Sequence, residues 1–212
     1  MNKETEIIDK RLLRSAATKK KILLAAKDVF LEEGFQKTTI SEIMKRASVG
    51  YGTAYVHFKG KDDILIVLME DVMQSFYQIA ETPFNPKSKK EAKCMIERQA
   101  YDFLKLAEGE RAVLKVFNQA IGVSDMVSRK WKSIREKFIE GITNDIAKAS
   151  HSGLVRLNFP HKVIARSWFY MNEMHLWEIV EEENTEPVEE IALSITEVYV
   201  SGLYISQESE TY

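Results

Sequence analysis

Apolar residues along the chain recur at intervals of three and four, and single glycines, prolines and Ser/Thr/Asn caps punctuate the runs; this pattern predicts helices almost throughout. The first runs from about Thr18 to Glu33, with Ile22, Ala26, Val29 and Phe30 on one face, and stops at Gly34. Thr39-Ile40-Ser41-Glu42 has the form of a capping box and opens a short second helix, Ile40 to about Ala47. After Ser48-Val49-Gly50 a third short helix begins near Tyr51 or Gly52. Two short helices around a tight turn suit a helix-turn-helix, with Ile43, Val49 and Tyr55 locking the pair against the first helix. Gly60-Lys61-Asp62-Asp63 then caps a longer fourth helix, with acids in its first turn as the helix dipole favours.

Thr82-Pro83-Phe84-Asn85-Pro86-Lys87 is the clearest break in the chain. Further helices are expected at about Lys89–Ala107, Glu110–Ile121, Ser124–Ser150, Pro160–Glu181 and Pro187–Tyr204. The reading is all-α, about nine helices: a domain over 1–61, a connecting fourth helix over 62–80, and a larger helical domain over 81–212. Trp168 to Trp177 is apolar nearly all round, so that helix needs cover on more than one side. The last helix carries Val188, Ile191, Ala192, Ile195, Val198, Tyr199, Gly202 and Leu203 as a packing stripe.

Composition narrows the class. A chain of 212 residues with 45% apolar content can bury a sizeable core, and one cysteine, Cys94, cannot form an internal bridge, which points to a reducing cytoplasm. The polar start carries no secretory pattern, and the longest apolar run, Ile64 to Met69, is far short of the about 20 residues of a membrane span. The net charge of −2 conceals an asymmetry: residues 1–60 carry 12 Lys+Arg and 7 Asp+Glu, whereas the remainder carries 18 and 25. A basic end on an acidic body suggests that the first part meets a polyanion. Enzymatic chemistry finds no footing. His57, His151, His161 and His175 lack metal-ligand spacing, there is no Gly-x-Ser-x-Gly elbow or Walker loop, and no cofactor is called for.

Gly34-Phe35-x-x-Thr38-Thr39-Ile40-x-x-Ile43-x-x-x-Ala47-x-Val49, followed by Gly52-Thr53-x-Tyr55-x-x-Phe58-x-x-Lys61-x-x-Ile64-Leu65, resembles the TetR family of bacterial transcriptional repressors. The likeness spans about Thr18 to Leu68. The family pattern usually reads Ala-Gly-Val-Ser before the recognition helix; here Ala47-Ser48-Val49-Gly50 shifts the small residues, and Tyr51 replaces a common lysine. The resemblance implies a dimer that binds a palindromic operator and releases it when a small effector occupies the carboxy-terminal domain.

A recognition helix sets its first turn against base edges while its neighbours clamp phosphates. Tyr51 and Thr53 fall in that turn, and Gly50 and Gly52 permit close approach of the backbone. His57, Lys59 and Lys61 are candidate phosphate contacts; Tyr55 is either another or a core ring with its hydroxyl free. Thr39 and Ser41 face the same groove in the family, although capping alone explains Thr39, and Lys19 to Lys21 are either a solvated face or a phosphate-attracting one. No Arg, Asn or Gln lies between Val49 and Phe58, so direct readout reduces to thymine methyls and single hydrogen bonds, with DNA shape supplying the rest.

In the resembled family the last two helices build a four-helix dimer interface and the body encloses a small-molecule pocket. Phe103, Phe117, Met126, Trp131, Trp168, Met171, Met174, His175 and Trp177 are the pocket candidates, each also explicable as core or interface, and together they suggest a hydrophobic effector. His175 is either a satisfied core histidine or an effector ligand, and Cys94 reads as buried packing. The competing class is a dimeric helical module that binds a small molecule or a protein without a specific operator.

Overall fold

A computed structural model describes residues 3–156 and 159–205, with side chains from residue 12 onward. Among these residues the chain forms nine helices: α1 (Lys3–Lys37), α2 (Ile40–Ala47), α3 (Tyr51–His57), α4 (Lys61–Ala80), α5 (Lys89–Gly109), α6 (Arg111–Ile121), α7 (Asp125–His151), α8 (His161–Glu181) and α9 (Val188–Leu203). Among the described residues the one pairing of extended backbone is an isolated antiparallel bridge, Val155 with Tyr204, which clips the α7–α8 connection to the chain after α9.

Two compact units divide the helices, and neither is a continuous stretch. The first comprises residues 1–72 and 115–130, the second 73–114 and 131–212. A linear boundary near residue 81 therefore misses the α6–α7 turn, which groups with the first unit. Helices α4, α6 and α7 each have residues in both.

In the first unit Ile22, Ala26, Val29 and Phe30 form the buried face of α1 as the spacing predicts. The helix, however, starts at Lys3 rather than near Thr18. Nothing between Lys3 and Ala17 breaks a helix, and the Thr18 hydroxyl donates to the Arg14 carbonyl one turn back (2.9 Å), the habit of a mid-helix threonine rather than a cap. The kink falls at Gly34, whose φ of 75° a residue with a Cβ adopts only under strain, and an added Cβ would stand 2.9 Å from Gln119 Oε1. The Phe35 amide donates to that same oxygen (3.2 Å).

The capping box is formed: the Glu42 amide donates to Thr39 Oγ1 (3.3 Å) and the Thr39 amide to Glu42 Oε2 (2.9 Å). Arg46 holds Glu32 of α1 through two bonds (2.9 and 2.6 Å), fixing α2 on α1. Ser48 occupies the left-handed region (φ 54°) where the family pattern has glycine, and the turn is closed by the backbone: Ser48 N–H to Lys45 O (3.2 Å) and Val49 N–H to Met44 O (3.1 Å). The expected lock is corrected at one position. Ile43, Ala54 and Phe58 are buried, whereas Tyr55 is 57% exposed, because a seven-residue helix can turn only one narrow stripe inward.

In the second unit α5 packs against α8 and α9, and α8 against α9. The last-helix stripe is used within the chain: Val188, Ile191, Ala192, Ile195, Tyr199 and Leu203 are buried, and Trp168 stacks on Tyr199 at 4.4 Å. Val198 instead points outward, 67% exposed. Helix α8 is likewise two-faced, with Trp168, Phe169, Asn172, Glu173, Leu176, Ile179 and Val180 buried while Val163, Tyr170 and Met174 stay exposed. Buried Glu173 accepts at Oε1 from both Trp131 Nε1 (2.7 Å) and Arg135 Nε (2.8 Å), which offsets the cost of placing it inside. Cys94, expected inside, is exposed.

Candidate nucleic-acid interface and effector cavity

Helix α3 presents an unusual surface for seven residues. Tyr51 is 49% exposed and Val56 79%, with Tyr55 beside them, and Thr53 stands open to solvent. A Cβ built at Gly50 or Gly52 meets nothing within 4 Å, so the fold itself has no use for glycine there. Glycine at the second position of a helix even costs it stability relative to alanine, roughly 0.5–1 kcal/mol. The open ground in front of the α3 start is therefore available to something outside the chain.

Around this helix the polar candidates divide by what they already hold. The Lys61 ammonium donates to the carbonyls of Phe35 (2.7 Å), Gln36 (3.1 Å) and Thr38 (2.9 Å) and sits 4.6 Å above the Phe35 ring. An ammonium has three donors, so Lys61 closes the end of α1 and has none left for a phosphate. Thr39 Oγ1 donates to Glu42 Oε2 (2.7 Å), which commits its one proton to the cap. Ser41, Lys19 and Lys59 are exposed, Lys19 with its ammonium 5.9 Å from the Phe58 ring centroid, and His57 is half-buried beside Phe58. The Lys59 amide, in turn, caps onto Asp63 Oδ2 (2.9 Å) at the start of α4.

The second unit encloses a cavity of about 200 Å³ between the end of α4, α5, α7 and α8. Its walls are Tyr77, Phe103, Phe138, Trp168 and Phe169, with Ile79, Ala80, Ala100, Gly141 and Ile142 between them. Phe138 centres the ring cluster, 4.8 Å from Tyr77, 5.9 Å from Phe103 and 5.7 Å from Phe169. Three lining residues carry charge: Glu81, Lys137 and Asp145. Lys137 and Glu81 pair at 3.5 Å, both largely exposed, and the Lys137 ammonium lies 3.5 Å over the Tyr77 ring. Asp145 is different. Burial pushes its carboxyl above the ordinary aspartate value, opposed by an ion pair with Lys148 at 3.0 Å.

Residues 22–68 match the model of the family described as bacterial regulatory proteins, tetR family. The "Fatty acid metabolism regulator protein" of Bacillus subtilis (strain 168) is 39% identical over 67 residues, 32% of this chain and 34% of that protein, so the match spans about a third of that relative. "HTH-type transcriptional regulator HbdR" of Aromatoleum sp. (strain CIB) is 26% identical over 183 residues, 76% of this chain and 75% of that one. Among solved structures, a putative TetR-family regulator from Syntrophomonas wolfei superposes with a TM-score of 0.71 at 23% identity, covering 87% of this chain and 93% of that one. FadR of Bacillus subtilis, solved with stearoyl-CoA, gives 0.67 at 23%, covering 86% and 97%.

Residues 22–68 are a TetR-family segment, and the chain as a whole is similar in fold to TetR-family regulators. As in that family, the helix-turn-helix lies at the amino-terminal end of an all-α chain. Of the nine residues proposed from sequence for an effector pocket, Phe103 and Trp168 line the cavity. Phe117 is fully buried, and Met126 41% exposed, in the first unit. Trp131 is held by Glu173 and packs on Trp177, Met174 is half exposed, and His175 bonds Glu178 on its own helix (2.7 Å); neither these nor Met171 reach the cavity wall.

Sequence reasoning did not single out Tyr77, Phe138, Phe169, Asn172 and Asp145 for the cavity, or Val56 for the exposed face of α3. Their periodicity marks them as buried or helical and nothing more; Val56 alone broke the pattern, being apolar on the polar side of its helix.

Proposed function

We propose that this regulator is a ligand-responsive repressor that binds a palindromic operator as a homodimer and releases it when a small, apolar effector fills the α4–α5–α7–α8 cavity. Tyr51, Thr53, Tyr55 and Val56 read the major groove, mainly through thymine methyls and single hydrogen bonds, while Ser41, Lys19, His57 and Lys59 contact phosphates. Gly50 and Gly52 let the DNA backbone approach. The observation that carries the reading is α4 itself: it begins at Lys61, four residues after α3 ends, and its last residues form the cavity wall at Tyr77, Ile79 and Ala80.

The dimer forms through the outward faces of α8 and α9. Val163, Tyr170 and Met174 lie on one face of α8 at spacings of seven and four, and Leu193 and Val198 are exposed on α9, apolar surface that a second copy would cover. Two-fold symmetry sets the recognition helices about 34 Å apart, one turn of DNA. An effector that binds better to a different spacing shifts the population away from the operator-competent state. Such a protein works in the cytoplasm, where its DNA is, and has no need of catalysis.

The reading is tested by selecting bound sequences from randomised DNA with purified protein, then titrating salt. Enrichment of a palindrome whose affinity falls steeply with salt supports it; equal binding to all sequences, or none at low salt, contradicts it.

A further inference from the structure

The cavity has a size and a polarity of its own, and both bear on what it holds. Its volume of about 200 Å³ compares with the roughly 150 Å³ of an apolar cavity that takes up benzene. That is room for a ring and a short arm. Five aromatic side chains form its wall, and such faces attract a cation through their negative ring centres.

The polar groups inside include two acceptors, Asp145 and the Asn172 amide oxygen, beside the Gln99 amide. Asn172, buried, uses its Nδ2 to donate to the Trp168 carbonyl (2.9 Å), which leaves Oδ1 to accept a hydrogen bond. Asp145 stands where the main cavity meets a second of about 30 Å³ behind it, the two sharing Gln99, Ile142, Asp145 and Trp168. Its partner Lys148 is mostly solvent-exposed and does not line either cavity. Among the described residues the lining cation is Lys137, and it stands at the rim, against Glu81 and the Tyr77 face. A carboxylate or phosphate brought inward would meet the Asp145 carboxylate, whose partner Lys148 lies outside the cavity lining, whereas an ammonium would meet two acceptors and a cage of rings.

We infer that the cavity binds a small aromatic amine, its ring among Phe103, Phe138 and Trp168 and its protonated nitrogen between Asp145 and Asn172. This rests on the cavity being the effector site. The raised carboxyl of Asp145 fits, since a cation offsets the burial that disfavours its charge.

Four probes of the full-length protein separate the possibilities: phenethylammonium, 3-phenylpropanol, 3-phenylpropanoate and stearate, measured by calorimetry and by the fluorescence of the tryptophans. Phenethylammonium is expected to bind at least tenfold more tightly than the alcohol or either carboxylate. Asp145→Asn, which removes a desolvated charge and so keeps the fold, should erase that margin while leaving the alcohol's affinity within about twofold. Tighter binding of a carboxylate, or a margin that survives Asp145→Asn, overturns the amine assignment but leaves an effector cavity standing, provided the bound probe weakens DNA binding. If none of the four binds, the amine assignment and the cavity reading fall together.

Discussion

On α3 the apolar side chains point away from the fold: Tyr51, Tyr55 and Val56 are 49%, 57% and 79% exposed on a helix of seven residues. Around the cavity they point inward, with Phe138, Trp168 and Phe169 all buried and their rings 4.4 to 5.9 Å from a neighbouring ring. The same division recurs within α9, where Ile195 is buried and Val198, three residues on, is exposed. An inward ring stabilises the fold whether or not a ligand arrives. An outward one contributes little to stability, and several together on one short helix mark a surface suited to a partner. Substitutions at the two kinds of position should therefore separate stability from binding.

The largest effect belongs to the inward group. Phe138→Ala should cost about 3–5 kcal/mol by the usual loss for a buried aromatic, read as a fall in the urea midpoint; a loss under about 1 kcal/mol would mean that the cavity wall collapses freely around the gap. On α9 the pair Ile195→Asp and Val198→Asp should split. The first, burying a carboxylate without a partner, should unfold the protein, whereas the second should leave circular dichroism unchanged and yield monomers in sedimentation. A Val198→Asp protein that remains dimeric would move the interface elsewhere.

For the outward group, Tyr51→Ala combined with Tyr55→Ala should leave stability within about 0.5 kcal/mol and weaken the selected operator by about tenfold or more, roughly 1.4 kcal/mol. A large stability loss would show that one ring has a core role. The smallest expected change is the most diagnostic for the glycines: Gly52→Ala should stabilise the free protein by roughly 0.5–1 kcal/mol while weakening operator binding. Stabilisation without loss of binding would mean that the DNA backbone does not come close there.

Local signals were the legible ones. Ser88 accepts from the Glu91 amide, Pro187 precedes α9, and the helices from α2 onward begin and end within about two residues of where caps and breakers place them. The start of α1 was hidden because Thr18 has the composition of a cap, and only its bond to the Arg14 carbonyl tells that the helix runs through it. Lys61 looked like a free cation beside a DNA-binding helix; three carbonyls from the end of α1, more than twenty residues away in sequence, claim it.

The cavity was the least legible part, for a physical reason. Periodicity reports that Tyr77, Phe138 and Phe169 face inward, but a cavity is a place where four helices fail to meet, and no single helix encodes it. Phe117 on α6 and Met126 on α7 do not line it, since the stretch 115–130 that carries them groups with the first unit.

The central claim is that occupancy of the cavity governs operator affinity. The direct measurement is fluorescence anisotropy of the selected palindrome with the wild-type protein while phenethylammonium is titrated to saturation, its binding followed in parallel by calorimetry. The account predicts that operator affinity falls by at least tenfold over the concentration range in which the cavity fills. An amine that saturates the protein and leaves operator affinity unchanged would contradict it.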